Sequence, residues 1–279
     1  MVGLYANFAT KMKQKNSDEK WYYRWAPSLG DGFAGTPEEV WGVEKYNPEK
    51  HQKENVVFCG LYSLKDFYAL WTHSGRKACW WTGSDLRHFI NGYWLDTEGK
   101  IRINPWPLAE WINGYCESWV ENTVEQDALK ALGIESNVCP SFLGDVNNFK
   151  PQILDKEPRY YSSVSGNDFK LYGWDKINKI AKENPDTKYY LYGNTVEWKA
   201  PQNVIVRGRM SQDEMNDEIK SMTGAIRMVV FEGCSELIVK SILWGQKPIS
   251  LIKYPFLDSE NPRKALLKIL NKYPWNIKK

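Results

Sequence analysis

The sequence predicts an α/β protein with largely parallel sheets, and three observations carry that reading. Short β-branched or aromatic runs alternate with helix-patterned segments along the chain. Capping pairs and glycine stops bracket several of those segments. With 279 residues, and about 150 residues per domain, the chain is long enough for two domains and a sizeable core.

In the first half, strands are expected over 56–61, 77–82 and 117–121, with helices over 64–72, 86–93 and 124–132. Thr123 with Gln126 reads as a capping box for the last of these, and Gly133 as its stop. The stretch 143–158 is punctuated by Gly-Asp, Asn-Asn, Lys-Pro and Glu-Pro. The boundary belongs there, giving domains over 1–148 and 149–260. In the second half, strands are expected over 159–164, 188–191, 204–206, 226–231 and 248–252. Ser211 with Glu214 opens a helix carrying Met215, Ile219 and Met222 on one face and stopping at Gly224. The tail, 261–279, holds an amphipathic helix over 261–273, started by Pro262 and carrying Ala265, Leu266, Ile269 and Leu270 at helical spacing.

Composition excludes several classes. Charged residues at 25% and apolar ones at 42% are ordinary for a globular protein and rule out disorder. A net charge of +3 does not advertise a polyanion partner. No stretch approaches the ~20 apolar residues of a membrane span, and the first fifteen residues lack a signal-peptide core, so a cytoplasmic protein is expected. Cys59, Cys79, Cys116, Cys139 and Cys234 show no paired spacing and read as reduced, buried small hydrophobes. The excess is aromatic: 14 Trp, 16 Tyr and 10 Phe, rings that fill cores and also stack on sugars and bases.

Gly30, Gly32 and Gly35 precede the helix start Thr36-Pro37-Glu38. A dinucleotide site also needs an acidic residue at the end of the next strand, where Tyr62-Ser63 stand instead. The glycines are therefore a plain turn or a loop facing an anion or sugar. Trp80-Trp81-Thr82-Gly83-Ser84-Asp85 ends a strand and opens a helix, at the strand end where open α/β sheets bind ligands. Asp85 is either an N-cap or a functional carboxylate. The run from Ile226 through Phe231 into Glu232, Gly233, Cys234, Ser235 and Glu236 has the same layout, and its amides suit a diphosphate. His51, His73 and His88 lack metal-ligand spacing and read as surface or cap residues. Serine-hydrolase elbows, phosphate-loop lysines and Asp-x-Asp pairs do not occur.

Taken in order, the second-half segments resemble the nucleotide-binding domain of retaining glycosyltransferases of the GT-B fold, the glycogen-synthase and mannosyltransferase group called family four. Asp168-Phe-Lys170-Leu-Tyr172-Gly173 resembles the loop after that domain's first strand, and Lys188-Tyr-Tyr-Leu191-Tyr-Gly193 its neighbouring strand. Asn203 through Arg209, Met210 and Ser211 resembles the strand and turn beside the base. Glu232 through Pro248 resembles the Glu-x7-Glu element with its glycine-proline ending. The likeness spans roughly 160–250. More loosely, Trp81-Thr82-Gly83-Ser84-Asp85 is similar to the family's His-Gly-Ser-Asp segment, with Thr82 in place of histidine.

The resemblance implies two Rossmann-like domains facing a cleft, the N-terminal, acceptor-side one trimmed. It implies a metal-independent, retaining transferase that takes a nucleoside-diphosphate sugar and uses no cofactor. The acceptor is left open among a glycan, a lipid-linked sugar, a protein and modified DNA. Glu232 and Asp85 would be catalytic. Lys170, Arg209, Met210, Gly233, Cys234, Ser235, Glu236 and Lys240 would hold the donor, and Gly30, Gly32, Thr82 and Gly83 would face the acceptor. Lys240 stands where the family's second glutamate meets the nucleotide ribose, so it either touches the donor or points to solvent. The alternative is a non-catalytic protein on a degenerate scaffold that binds glycan or single-stranded nucleic acid.

Overall fold

The computed structural model describes residues 20–29, 37–96 and 99–271. The N-terminal segment, the turn of Gly30, Gly32 and Gly35 with Thr36, and the end of the expected terminal helix with Lys272, Lys278 and Lys279 lie outside the described residues. The chain divides into two compact units between Leu143 and Gly144, the second running Gly144–Leu270.

The first unit is built on a sheet of six strands, β1 (Trp21–Trp25), β2 (Glu44–Lys45), β3 (Asn55–Cys59), β4 (Lys77–Trp80), β7 (Glu117–Val120) and β8 (Asn137–Val138). Their order is β2-β1-β3-β4-β7-β8, with every pairing parallel. Helices α1 (Pro37–Trp41), α2 (Leu64–Thr72), α3 (Ser84–Ile90), α4 (Pro105–Tyr115) and α5 (Thr123–Ala131) connect them. An antiparallel hairpin, β5 (Tyr93–Asp96) and β6 (Gly99–Arg102), is inserted after α3. Central β4 is buried at every residue, as a strand covered on both faces must be. Most of the tryptophan excess is core here: Trp80, Trp81, Trp94 and Trp119 are fully buried, and Trp41 packs on Trp80 with centroids 5.0 Å apart.

The second unit holds β9 (Arg159–Ser163), β10 (Lys188–Tyr192), β11 (Val204–Gly208), β12 (Gly224–Arg227) and β13 (Ile249–Ser250). The all-parallel order is β11-β10-β9-β12-β13. Helices α6 (Trp174–Glu183), α7 (Gln212–Ile219), α8 (Glu236–Leu243) and α9 (Pro262–Leu270) accompany it. On α6 the buried Trp174, Ile177 and Ala181 recur at helical spacing and pack on Tyr189, Leu191 and Ile226 of the sheet. The chain moves outward from β9 to β10 and β11, then returns to lay β12 on the other side of β9. That reversal makes the carboxyl ends of β9 and β12 a topological switch point, where such sheets bind ligands.

Several expectations need correction. Asn122, not Thr123, caps α5, its side chain accepting the amide of Glu125 at 3.0 Å, while Gly133 closes the helix with φ +81°. The helix expected over 86–93 is cut at Ile90, because Gly92 at φ +70° turns the chain into the hairpin. Helix α7 ends at Ile219, and Gly224 opens β12 where the Lys247 carbonyl would stand 2.5 Å from any Cβ. Strand β12 stops at Arg227, so 228–231 are loop. His73 is a cap as expected, the C-cap of α2, but both it and His88 are buried rather than superficial, and burial holds each imidazole down at about 4. Cys116 and Cys234 are half-buried, whereas the other three cysteines are buried. No helix among the described residues is long and apolar enough to cross a membrane.

Candidate functional site

At the switch point of the second unit, two loops meet. The first follows β9. Asn167, at φ +57°, donates its amide to the Thr195 hydroxyl and accepts the Thr195 backbone N–H, both at 2.8 Å. Phe169 stacks face to face on Trp198 at 3.9 Å. These contacts hold the loop down and leave Lys170 exposed beside it. The loop ends at Gly173, the left-handed N-cap of α6 at φ +75°, where a Cβ would lie 2.5 Å from the Met228 carbonyl oxygen. Only glycine permits that approach of the two loops.

The second loop follows β12 and carries Glu232, whose carboxylate is grasped by Arg227. Arg227 Nε donates to both carboxylate oxygens at 3.1 Å and Nη2 donates to Oε2 at 2.9 Å. Its Nη1 donates to the Ser163 carbonyl at the end of β9, at 2.8 Å, and the guanidinium lies 4.6 Å from the Tyr172 ring centroid. Arg227 is 8% exposed at its side chain and Glu232 16%. Beyond Glu232, the buried Tyr254 hydroxyl donates to the Gly233 carbonyl at 2.9 Å and accepts the Ser235 backbone N–H at 3.2 Å. The Ser235 side chain makes no capping bond, although Ser235 is the N-cap of α8.

The structure therefore brings Lys170, Glu232, Gly233, Cys234 and Ser235 to one switch point. Arg209 and Met210 follow edge strand β11, two strands from β9, with Arg209 exposed and Met210 half-buried. Lys240 does not point to solvent. Its side chain is 3% exposed, and its ammonium pairs with Glu236 at 3.2 Å and donates to Asn216 Oδ1 at 3.2 Å. Glu236 in turn accepts from Gln212 at 3.2 Å. Lys240 and Glu236 thus tie α8 to α7. Sequence reasoning missed Arg227 and Tyr254. A signal for Arg227 existed: a lone cation within the apolar run Ala225-Ile226-Arg227-Met228-Val229.

In the first unit, the corresponding strand ends are held by buried carboxylates. Asp85 is fully buried, with Oδ2 accepting the Leu61 amide at 2.8 Å and Oδ1 the Thr82 amide at 2.9 Å. Burial raises its carboxyl to about 6, against those bonds that favour the anion. The carboxylate clasps the ends of β3 and β4, and it is not the N-cap of α3, a position that Gly83 takes. Asp66 does similar work, accepting from the Tyr62 and Ser63 amides at 3.2 and 3.0 Å and from Arg24 at 2.9 Å. Thr82 joins a hydroxyl group with Tyr62 and Ser84, at 3.1 and 3.0 Å from the Tyr62 oxygen, and the buried Gly83, at φ +92°, caps α3. Trp80 and Trp81 are core, not a stacking face. Among the described residues no cluster of three metal-ligating side chains forms.

The two α/β units, each built on a parallel sheet with loops gathered at the carboxyl ends of its strands, have the GT-B glycosyltransferase fold. The chain is similar to TarM, with a TM-score of 0.52 at 12% identity over 80% of this chain and 48% of that one. A point mutant of S. aureus TarM, solved with fondaparinux, α-GlcNAc-glycerol and UDP, gives 0.52 at 14% over 77% and 48%. Sucrose-phosphate synthase from Thermosynechococcus elongatus gives 0.51 at 10% identity, over 92% of this chain and 80% of that one. The chain spans about half the length of TarM. No protein-family model and no curated protein matches the sequence.

Proposed function

We propose that the chain is a retaining, metal-independent glycosyltransferase using a nucleoside-diphosphate sugar. The observation that carries this reading is the meeting of Glu232, the 233–235 turn and the Lys170 loop at the switch point of a GT-B fold. Its likeness to TarM, a mutant of which has been solved with UDP, supports a nucleotide-sugar donor. Glu232 accepts hydrogen bonds from the sugar hydroxyls. Lys170, Arg209 and the backbone of the Gly233-Cys234 turn neutralise the diphosphate as its charge develops, which is where preorganised donors contribute most. The bond from the anomeric carbon to the diphosphate breaks, the acceptor oxygen bonds to that carbon on the same face, and the departing diphosphate takes the acceptor proton. The buried pairing of Lys240 with Glu236 favours a second reading, a binding protein on a degenerate scaffold.

Calorimetric titration with UDP, UDP-glucose, UDP-GlcNAc and GDP-mannose tests the choice. Binding with slow sugar release supports the transferase. Binding only to oligosaccharides or oligonucleotides supports the alternative.

A further inference from the structure

The proposed donor contact, Glu232, sits in a half-buried loop just past the end of a strand, and a carboxylate there is useful only if its oxygens are aimed. Four features bear on how it is aimed. The guanidinium of Arg227 binds both oxygens of Glu232 through three contacts of 2.9–3.1 Å. Arg227 is itself the last residue of β12, so its origin is set by the sheet. Its Nη1 is spent on the Ser163 carbonyl at the end of the neighbouring strand. Tyr172, from the Lys170 loop, covers the cation at 4.6 Å. A planar fork tied at three sides is a rigid mount, which an ammonium cannot reproduce.

We propose that Arg227 is a positioning residue: it orients Glu232 toward the donor sugar and couples the loop after β12 to the loop after β9. This rests on the transferase reading above. Arg227 touches no donor atom in this scheme and acts through Glu232. The cation also neutralises the carboxylate, so the diphosphate beside it does not meet an unpaired negative charge.

A double-mutant cycle on the full chain tests this, read by UDP-glucose, UDP-GlcNAc and GDP-mannose affinity, with UDP as a control lacking the sugar. Arg227→Lys should lower sugar-nucleotide affinity about tenfold or more, the range for bonds to charged groups, and leave UDP affinity nearly unchanged. In a Glu232→Gln background the same substitution should have almost no further effect. Added guanidinium should restore part of the loss in Arg227→Gly, and thermal melting reports whether each variant is folded. Equal losses in both backgrounds, or an equal loss for UDP, would overturn the proposal and assign Arg227 to the diphosphate or to the fold. If Arg227→Lys does not fold, Arg227→Gln replaces it in the cycle, and failure of every variant to fold also counts against a positioning role. If the wild-type chain binds none of the sugar nucleotides, the transferase reading fails first and this proposal falls with it.

Discussion

Replacing Lys240 by methionine removes a buried ammonium while keeping an unbranched side chain of similar length. In the wild type the ammonium is 3.2 Å from Glu236 and 3.2 Å from Asn216 Oδ1, with a side-chain exposure of 3%. At an effective dielectric constant of about 20 the attraction to Glu236 is about 5 kcal/mol. Desolvating the ammonium costs several kcal/mol, a similar amount, and solvent at Glu236, 31% exposed, screens the attraction further. The two effects nearly cancel, so Lys240→Met should fall within about 1 kcal/mol of wild type or exceed it by up to about 2. Glu236→Gln keeps the buried cation and removes its counter-charge, which should cost about 1–3 kcal/mol. The double substitution should recover most of that loss. Urea unfolding of the four proteins measures all three values, and donor titration should find Lys240→Met unchanged. A loss above about 3 kcal/mol in Lys240→Met alongside a neutral Glu236→Gln, or a weakened donor affinity in the folded methionine variant, would refute the reasoning.

Glu232→Gln should leave the protein folded, at a cost of about 1–3 kcal/mol because buried Arg227 loses its counter-charge, and cut sugar transfer at least tenfold, to about the extent expected when an amide replaces a doubly bonded carboxylate. Unchanged turnover would remove Glu232 from the site. Activity should survive excess EDTA, and complete loss restored by manganese or magnesium would overturn the metal-independent reading. Gly173→Ala should destabilise by about 2 kcal/mol or more, since it adds a Cβ at positive φ against the Met228 carbonyl; a melting point equal to wild type would contradict that contact. His73 is held at about 4 when folded, below its usual 6.5. The unfolded chain therefore takes up protons first as pH falls from about 6.5 to 4, and stability drops across that window by up to about 3 kcal/mol. Asp85, raised to about 6, works in the opposite sense, losing stability as pH rises from about 4 through 6. The stability gap between wild type and His73→Gln should shrink as pH falls from 7 to 4, and a gap constant with pH would refute the His73 assignment.

The legible parts of the fold were those written in local pattern. Helix α2 falls over the expected 64–72, and Ser211 with Glu214 forms a reciprocal capping box, because both signals depend on neighbours three or four residues apart. Overruns fall at the carboxyl ends of strands. Trp81 and Thr82 after β4, and Val229 after β12, continue the apolar or β-branched character of the strand once the ladder has stopped, since loops at those ends are packed and buried too. Strand β1 precedes the glycine-rich turn and has no alternation to betray it. Helix α4 carries Pro105 and Pro107 in its first turn, where proline is tolerated although it reads as a break. At the site, the loop positions of Glu232 and Lys170 follow from strand-then-helix order. The Arg227 fork and the Tyr254 hydroxyl bond do not, because each depends on a tertiary approach across the sheet or from a segment some twenty residues away.

The outermost strands of both sheets carry a further consequence. β2, β8 and β13 are each only two residues long, too short to template another chain. The one long margin of these two sheets among the described strands is β11, five residues with Val206 exposed. It is marred by a register break opposite Leu191 and Tyr192 and guarded by the Arg207–Glu218 ion pair. Among the described residues, the longest outer strand of the two parallel sheets is therefore one that is bent and charged, and aggregation of a weakened variant through those sheets should begin at 204–208.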